Sequence, residues 1–89
     1  MTVKLGVVGH FGLAVRDPEA SSEFWTKNFD LHEAFRADDA IGLTNDQITI
    51  VLHRGEPRPE TLGHMSFHLA SLPVLQAALG ELERNGVDV

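Results

Sequence analysis

The feature that most limits what this chain can fold into is that it states one plan twice. "GHFGLAVRDPEA", from Gly9, and "GHMSFHLASLPV", from Gly63, share an order of parts: Gly-His, an alternating stretch, a capping residue, a proline, then an amphipathic segment. Their histidines, His10 and His64, stand 54 positions apart. Self-similarity at a fixed period marks copies of one supersecondary unit.

Within the first copy the periodicities are clear. From Val8 to Arg16, Phe11, Leu13 and Val15 fall on one face and His10, Gly12 and Ala14 on the other, the period of a strand. Asp17-Pro18 then starts a helix, with Asp17 as N-cap and Pro18 in the first turn, where its missing N–H costs nothing. The helix is expected to run to Asn28, burying Ala20, Phe24 and Trp25 and leaving Ser21, Ser22, Glu23 and Lys27 wet. Strands follow over Leu31–Arg36 and Ala40–Leu43, with Asp38-Asp39 as the solvated tip of a hairpin and His32 as a surface turn residue. An Asn45-Asp46 turn leads into "QITIVLH", where Ile48, Ile50 and Leu52 alternate with Thr49, Val51 and His53.

The second copy repeats the opening and then stops. "GEPRPET", Gly55 to Thr61, has two prolines and no apolar residue and reads as a linker. In "HMSFHL", Met65, Phe67 and Leu69 alternate with His64, Ser66 and His68, which predicts a strand. On a strand, His64 and His68 share a face but lie about 13 Å apart, too far for one metal ion. Ser71 caps a helix with Leu75, Ala78, Leu79 and Leu82 on one side, ending at Gly86, and "VDV" opens a further strand. The predicted fold is therefore α+β: residues 1–60 a βαβββ module with its linker, and residues 61–89 the first strand and helix of a second, incomplete module. Two full modules need roughly 115 residues at the observed period. The expectation is a fragment, or a sheet completed by a partner chain.

Composition narrows the function. Thirteen acidic against seven basic residues give a net charge of −6, with no Lys/Arg cluster, so neither nucleic acid nor an anionic membrane is an expected partner. The absence of cysteine excludes disulfides and thiolate metal sites. "MTVKLGVVGH" lacks the features of a secretory signal, and no run approaches the ~20 apolar residues of a membrane span. A soluble, cytoplasmic protein is expected. On the first strand the companions of His10 are Gly12 and Ala14, too small to fill the space before them, which points to a cavity on the helix-free face.

"GHFGLAVRDPEASSEFWTKNFDL", "AIGLTNDQITIVLHRGEP" and "LGHMSFHLASLPVLQAALGELERNGVDV" together resemble the vicinal-oxygen-chelate superfamily, which contains glyoxalase I, extradiol dioxygenases, fosfomycin-resistance enzymes and bleomycin-binding proteins. The resemblance implies paired βαβββ modules around a curved sheet, and in the catalytic members a divalent metal in its concavity. By that resemblance His10 and His64 match the family's histidine ligands. The glutamate that glyoxalase I takes from the fourth strand is matched here by Val51, which cannot coordinate. The last carboxylate of the family pattern would lie beyond Val89. This leaves a two-His-one-carboxylate pattern, compatible with Fe(II), Mn(II) or Zn(II), and open to a bidentate oxygen substrate. Two neutral ligands without that carboxylate are expected to bind weakly.

The resemblance implies a metal-dependent dioxygenase, or a lyase or transferase, acting on a small molecule with neighbouring oxygens. The protein is expected to work as a homodimer. Thr49, Val51, His53, Ser66 and His68 are the expected substrate contacts, with His53 a rim proton donor; no residue stands out as the general base. The rival readings are a metal-free module that sequesters a drug-like molecule, and an inactive fragment.

Overall fold

A computed structural model describes residues 2–58 and 66–89. Its elements are β1 (Phe11–Val15), α1 (Pro18–Asn28), β2 (His32–Ala37), β3 (Ala40–Thr44), β4 (Thr49–Arg54) and α2 (Leu72–Arg84). The chain divides into two compact units, residues 1–58 and 59–89. The first unit has the βαβββ order that the alternation predicts.

Four strands form one mixed sheet in the order β1-β4-β3-β2. β1 runs parallel to β4, with Phe11 opposite Ile50 and Leu13 opposite Leu52. The β2–β3 and β3–β4 pairs are antiparallel hairpins. A parallel pair needs a crossover, and α1 with β2 and β3 supplies it. The tip of the first hairpin is Asp38-Asp39, as expected. In the second, Asn45 Oδ1 accepts from the backbone N–H of Gln47 and Ile48 at 3.0 Å each. Asp46 takes the left-handed conformation, φ 74°, which Asn and Asp tolerate better than other side chains.

That turn delays the start of the following strand, while β3 runs one residue past its predicted end, to Thr44. Gln47 and Ile48 are spent on it, so β4 begins at Thr49 rather than Gln47. Its ladder with β1 begins at Phe11↔Ile50, and β1 spans Phe11–Val15 rather than Val8–Arg16, starting one residue after His10.

The core lies between the sheet and α1: Leu31, Ile41, Leu43, Ile50 and Leu52 are buried, with Phe11, Leu13, Val15, Trp25 and Ile48 packed against them. Full burial of such side chains stabilises the fold by about 1.5–3 kcal/mol each. Asp17 caps α1, its Oδ1 accepting from Glu19 N at 3.1 Å and Ala20 N at 3.3 Å. The buried stripe of the helix differs from the predicted one. Pro18 and Ser22 are buried and Trp25 is half-buried, whereas Ala20 is exposed and Phe24 is 43 % exposed. Positions 18, 22 and 25 fall on one helical face, and a small serine there lets the helix approach the sheet closely. Phe24 instead flanks the helix, edge-on to Trp25 at 5.8 Å and tilted against Phe29 at 6.3 Å.

In the second unit α2 starts and stops as expected. Ser71 Oγ accepts from Val74 N at 3.4 Å, Pro73 lies in the first turn, and Gly86 takes φ 83° just past the end. The predicted strand over residues 64–69 is not borne out among the described residues, because Ser66–Leu69 form no ladder. Alternation alone makes no strand; its backbone groups need a neighbouring strand to pair with. Val87–Val89 likewise form no strand. His64 and Met65 lie outside the described residues.

Candidate functional site

The sheet of the first unit has two unlike faces. Ile41, Leu43, Ile50 and Leu52 point toward α1. The alternate positions point the other way, and the register aligns them in rows across the strands. Gly12, Val51, Gly42 and Phe35 form one row; Ala14, His53, Ala40 and Ala37 form the next. At the far end His32, Thr44 and Thr49 form a third, and His10 immediately precedes the β1 residue opposite Ile50. This face, opposite α1, carries five small residues, Gly12, Ala14, Ala37, Ala40 and Gly42, with histidines and one aromatic ring standing among them.

His53 is exposed, and its imidazole leans across onto β1. A Cβ added at Gly12 would stand 3.4 Å from both its Cδ2 and its Nε2. The ring therefore fills the space that the missing Gly12 side chain leaves open. Phe35 does the same on the other side. A Cβ added at Gly42 would lie within the van der Waals envelope of the Phe35 ring. Each ring rests on a glycine, and Val51 stands between the two.

Phe35 was not singled out by its sequence, and a β-bulge explains why. The β2–β3 register shifts between Glu33 and Phe35. Strict alternation from His32 would put Phe35 on the α1 side with Glu33, whereas the extra residue turns it to the opposite face. The same shift brings Arg36 to the α1 side, where it pairs with Glu33 at 2.6 Å and with Glu19 of α1. The hydrogen bonds that Arg36 donates to Glu33 and to Glu19 raise its pKa above its already high ordinary value, so the guanidinium stays charged. Gly42, isolated between Ile41 and Leu43, was the available signal: a glycine inside a strand often marks close approach of another group.

At the His10 end the polar groups are hydroxyls. Thr49 Oγ1 donates to Thr44 Oγ1 at 3.2 Å, and Thr44 Oγ1 donates to the Ile48 carbonyl at 2.8 Å while accepting from Asp46 N at 3.1 Å. Thr44 is thereby saturated, whereas the Thr49 oxygen keeps acceptor capacity. His10 is exposed. His53 lies opposite Ala14, four residues along from His10, so the two imidazoles are attached about 13 Å apart along the strand direction. One metal ion does not take both.

Thus Thr49, Val51 and His53 share the face opposite α1, with His10 at its end. Ser66 and His68 are exposed residues of the second unit, in irregular backbone, and His64 lies outside the described residues. Among the described residues no three His, Asp or Glu side chains stand close enough together to hold a metal. At the His10 end the face carries the hydroxyls of Thr44 and Thr49 and, at the β2 edge of the same row, His32. Among the described residues no helix is long and apolar enough to cross a membrane.

No curated protein matches the chain closely enough to count as a relative. A family model does match, that of the Glyoxalase/Bleomycin resistance protein/Dioxygenase superfamily, over residues 7–89. It takes in the βαβββ unit, both Gly-His segments and α2. With its strand-helix-strand-strand-strand first unit, the chain belongs to the Glyoxalase/Bleomycin resistance protein/Dioxygenase superfamily.

Proposed function

We propose that the face of the β1-β4-β3-β2 sheet opposite α1 binds a small oxygen-bearing molecule, and that the protein is a metal-dependent enzyme of dioxygenase, lyase or transferase type. The observation that carries this reading is the face of the sheet opposite α1: Gly12, Ala14, Ala40 and Gly42 leave it open, and His10 stands exposed at its end. The ligands proposed for a divalent metal, Fe(II), Mn(II) or Zn(II), are His10 and His64, which begin the two repeated segments. A neutral imidazole suits any of these ions. When bound, such an ion supplies Lewis-acid polarisation of substrate oxygens, or O₂ activation with iron.

The chain's own residues do the rest. Thr49 offers a hydroxyl oxygen to an N–H donor beside His10, Val51 supplies an apolar floor, and His53 presents a ring nitrogen able to donate or accept a proton. Ser66 and His68 are proposed contacts from the second repeat. We read the protein as cytoplasmic and homodimeric; a solution mass of one chain in sedimentation would overturn the dimer.

A second reading has its own support. By the family resemblance Val51 occupies the strand position from which a carboxylate would reach a metal, and among the described residues no three His, Asp or Glu side chains gather into a metal site. Both fit a metal-free module that sequesters its ligand. Metal analysis after purification without chelators separates the two. Stoichiometric metal in the wild type, lost in both His10→Ala and His64→Ala, supports the enzyme. No metal, with ligand affinity unchanged in His10→Ala, rejects it.

A further inference from the structure

We infer that Phe35 and His53 are the specificity-determining residues of this face, and that they select a flat conjugated ring carrying one hydrogen-bonding substituent. The inference rests on the reading that the face binds a small molecule, and it names the ligand class.

Three observations lead to it. First, the two rings stand on Gly42 and Gly12, which flank Val51 in one row across three neighbouring strands. Two strand spacings separate those glycines, roughly 9.6 Å. A ring seated over Val51 is then about 5 Å from each flanking ring, inside the ~4.5–7 Å range over which aromatic pairs attract. A saturated ligand of equal size gains the burial but not that pairing.

Second, neither ring is committed elsewhere. Phe35 is 45 % exposed and has no aromatic neighbour among the described residues. The His53 imidazole has no hydrogen-bond partner among them. A polar substituent pointing toward β1 meets a ring nitrogen that both donates and accepts.

Third, the fold spends irregularity to arrange this. The bulge between Glu33 and Phe35 turns the phenyl ring away from the core, where burial would have stabilised it, onto the open face. Two glycines inside strands, each weaker in a sheet than a larger residue, make room for the rings.

The test uses the full chain and three probes: 2-naphthol, naphthalene, and decahydro-2-naphthol as the saturated counterpart. Binding is followed by amide chemical shifts in ¹H–¹⁵N spectra. The expected result is saturable binding of 2-naphthol with shifts centred on Gly12, Phe35, Gly42 and Val51, and weaker binding of the saturated alcohol. Phe35→Leu should weaken 2-naphthol binding about 2- to 12-fold, the range of one aromatic pair, and leave decahydro-2-naphthol unchanged. His53→Phe keeps a ring on Gly12 and should erase the preference for 2-naphthol over naphthalene. Retained shift dispersion in each variant shows that it is folded.

Equal affinity for the flat and saturated alcohols, both mapping to this face, overturns the ring inference and leaves the small-molecule reading standing. Shifts that map elsewhere, or no saturable binding of any probe, overturn both.

Discussion

The two helices begin alike and end up in different circumstances. Each follows a side-chain cap, Asp17 or Ser71, and each carries a proline in its first turn. α1 lies against a sheet and buries Pro18 and Ser22, and Trp25 in part. α2 has the more regular apolar stripe, yet none of its residues is buried, and Leu72, Val74, Leu75 and Leu79 are all exposed. Capping and periodicity therefore decide that a helix forms and where it stops. What decides burial is the sheet: β1, β3 and β4 bring Leu13, Ile41, Leu43, Ile50 and Leu52 to one face beneath α1.

That contrast orders the expected effects of mutation. The largest belongs to the sheet side of α1. Leu52→Ala removes a fully buried side chain and should cost about 2–5 kcal/mol in urea unfolding. A loss under 1 kcal/mol would mean that the sheet and α1 are not the stabilising centre. Next comes the opposite face of the same sheet. Gly42→Ala drives a methyl group into the Phe35 ring, and overpacking of this kind costs about 1–3 kcal/mol. Because the ring is half exposed and free to swing away, the double variant Gly42→Ala/Phe35→Ala should be more stable than the sum of its parts predicts. Strict additivity would show that the two do not touch.

Smaller still are the caps, where the helices should behave alike. Asp17→Ala and Ser71→Ala each remove an acceptor from the first turn and should cost about 0.5–2 kcal/mol of helix stability, read by far-ultraviolet circular dichroism. A cost at Asp17 with none at Ser71 would make α2 dependent on something other than its own cap. The smallest effect is expected at Leu79 of α2. Leu79→Ala is a change at an exposed site and should stay within about 0.5 kcal/mol. A loss comparable to that of Leu52→Ala would show that a covering surface buries α2 in solution, and would remove the contrast between the helices.

Much of the first unit was legible from particular residues. Asp17-Pro18 located the start of α1, and Asn45-Asp46 located the β3–β4 hairpin, because caps and turns are local chemistry. The alternation of Phe11, Leu13 and Val15, and of Ile50 and Leu52, named core positions, because side chains on a strand point alternately to its two faces. The small-residue face next to His10 was legible in the same way. Ser22 was not, because what a helix buries is set by how it lies on its sheet, and no serine announces that it faces inward. Nor was the absence of a ladder at Ser66–Leu69, since pairing requires a second strand whose position alternation does not state.

By itself, then, the sequence determined the helices and their ends, the turn at Asn45-Asp46, the apolar face of β4, and family membership over residues 7–89. These follow from interactions between residues close in the chain, or from patterns that repeat along it. Only the tertiary structure decided that β1 lies beside β4, that His53 of one strand rests on Gly12 of the other, and that a bulge sets Phe35 upon Gly42. Register and bulges arise where two distant segments meet, and a one-residue shift there sends a side chain to the opposite face.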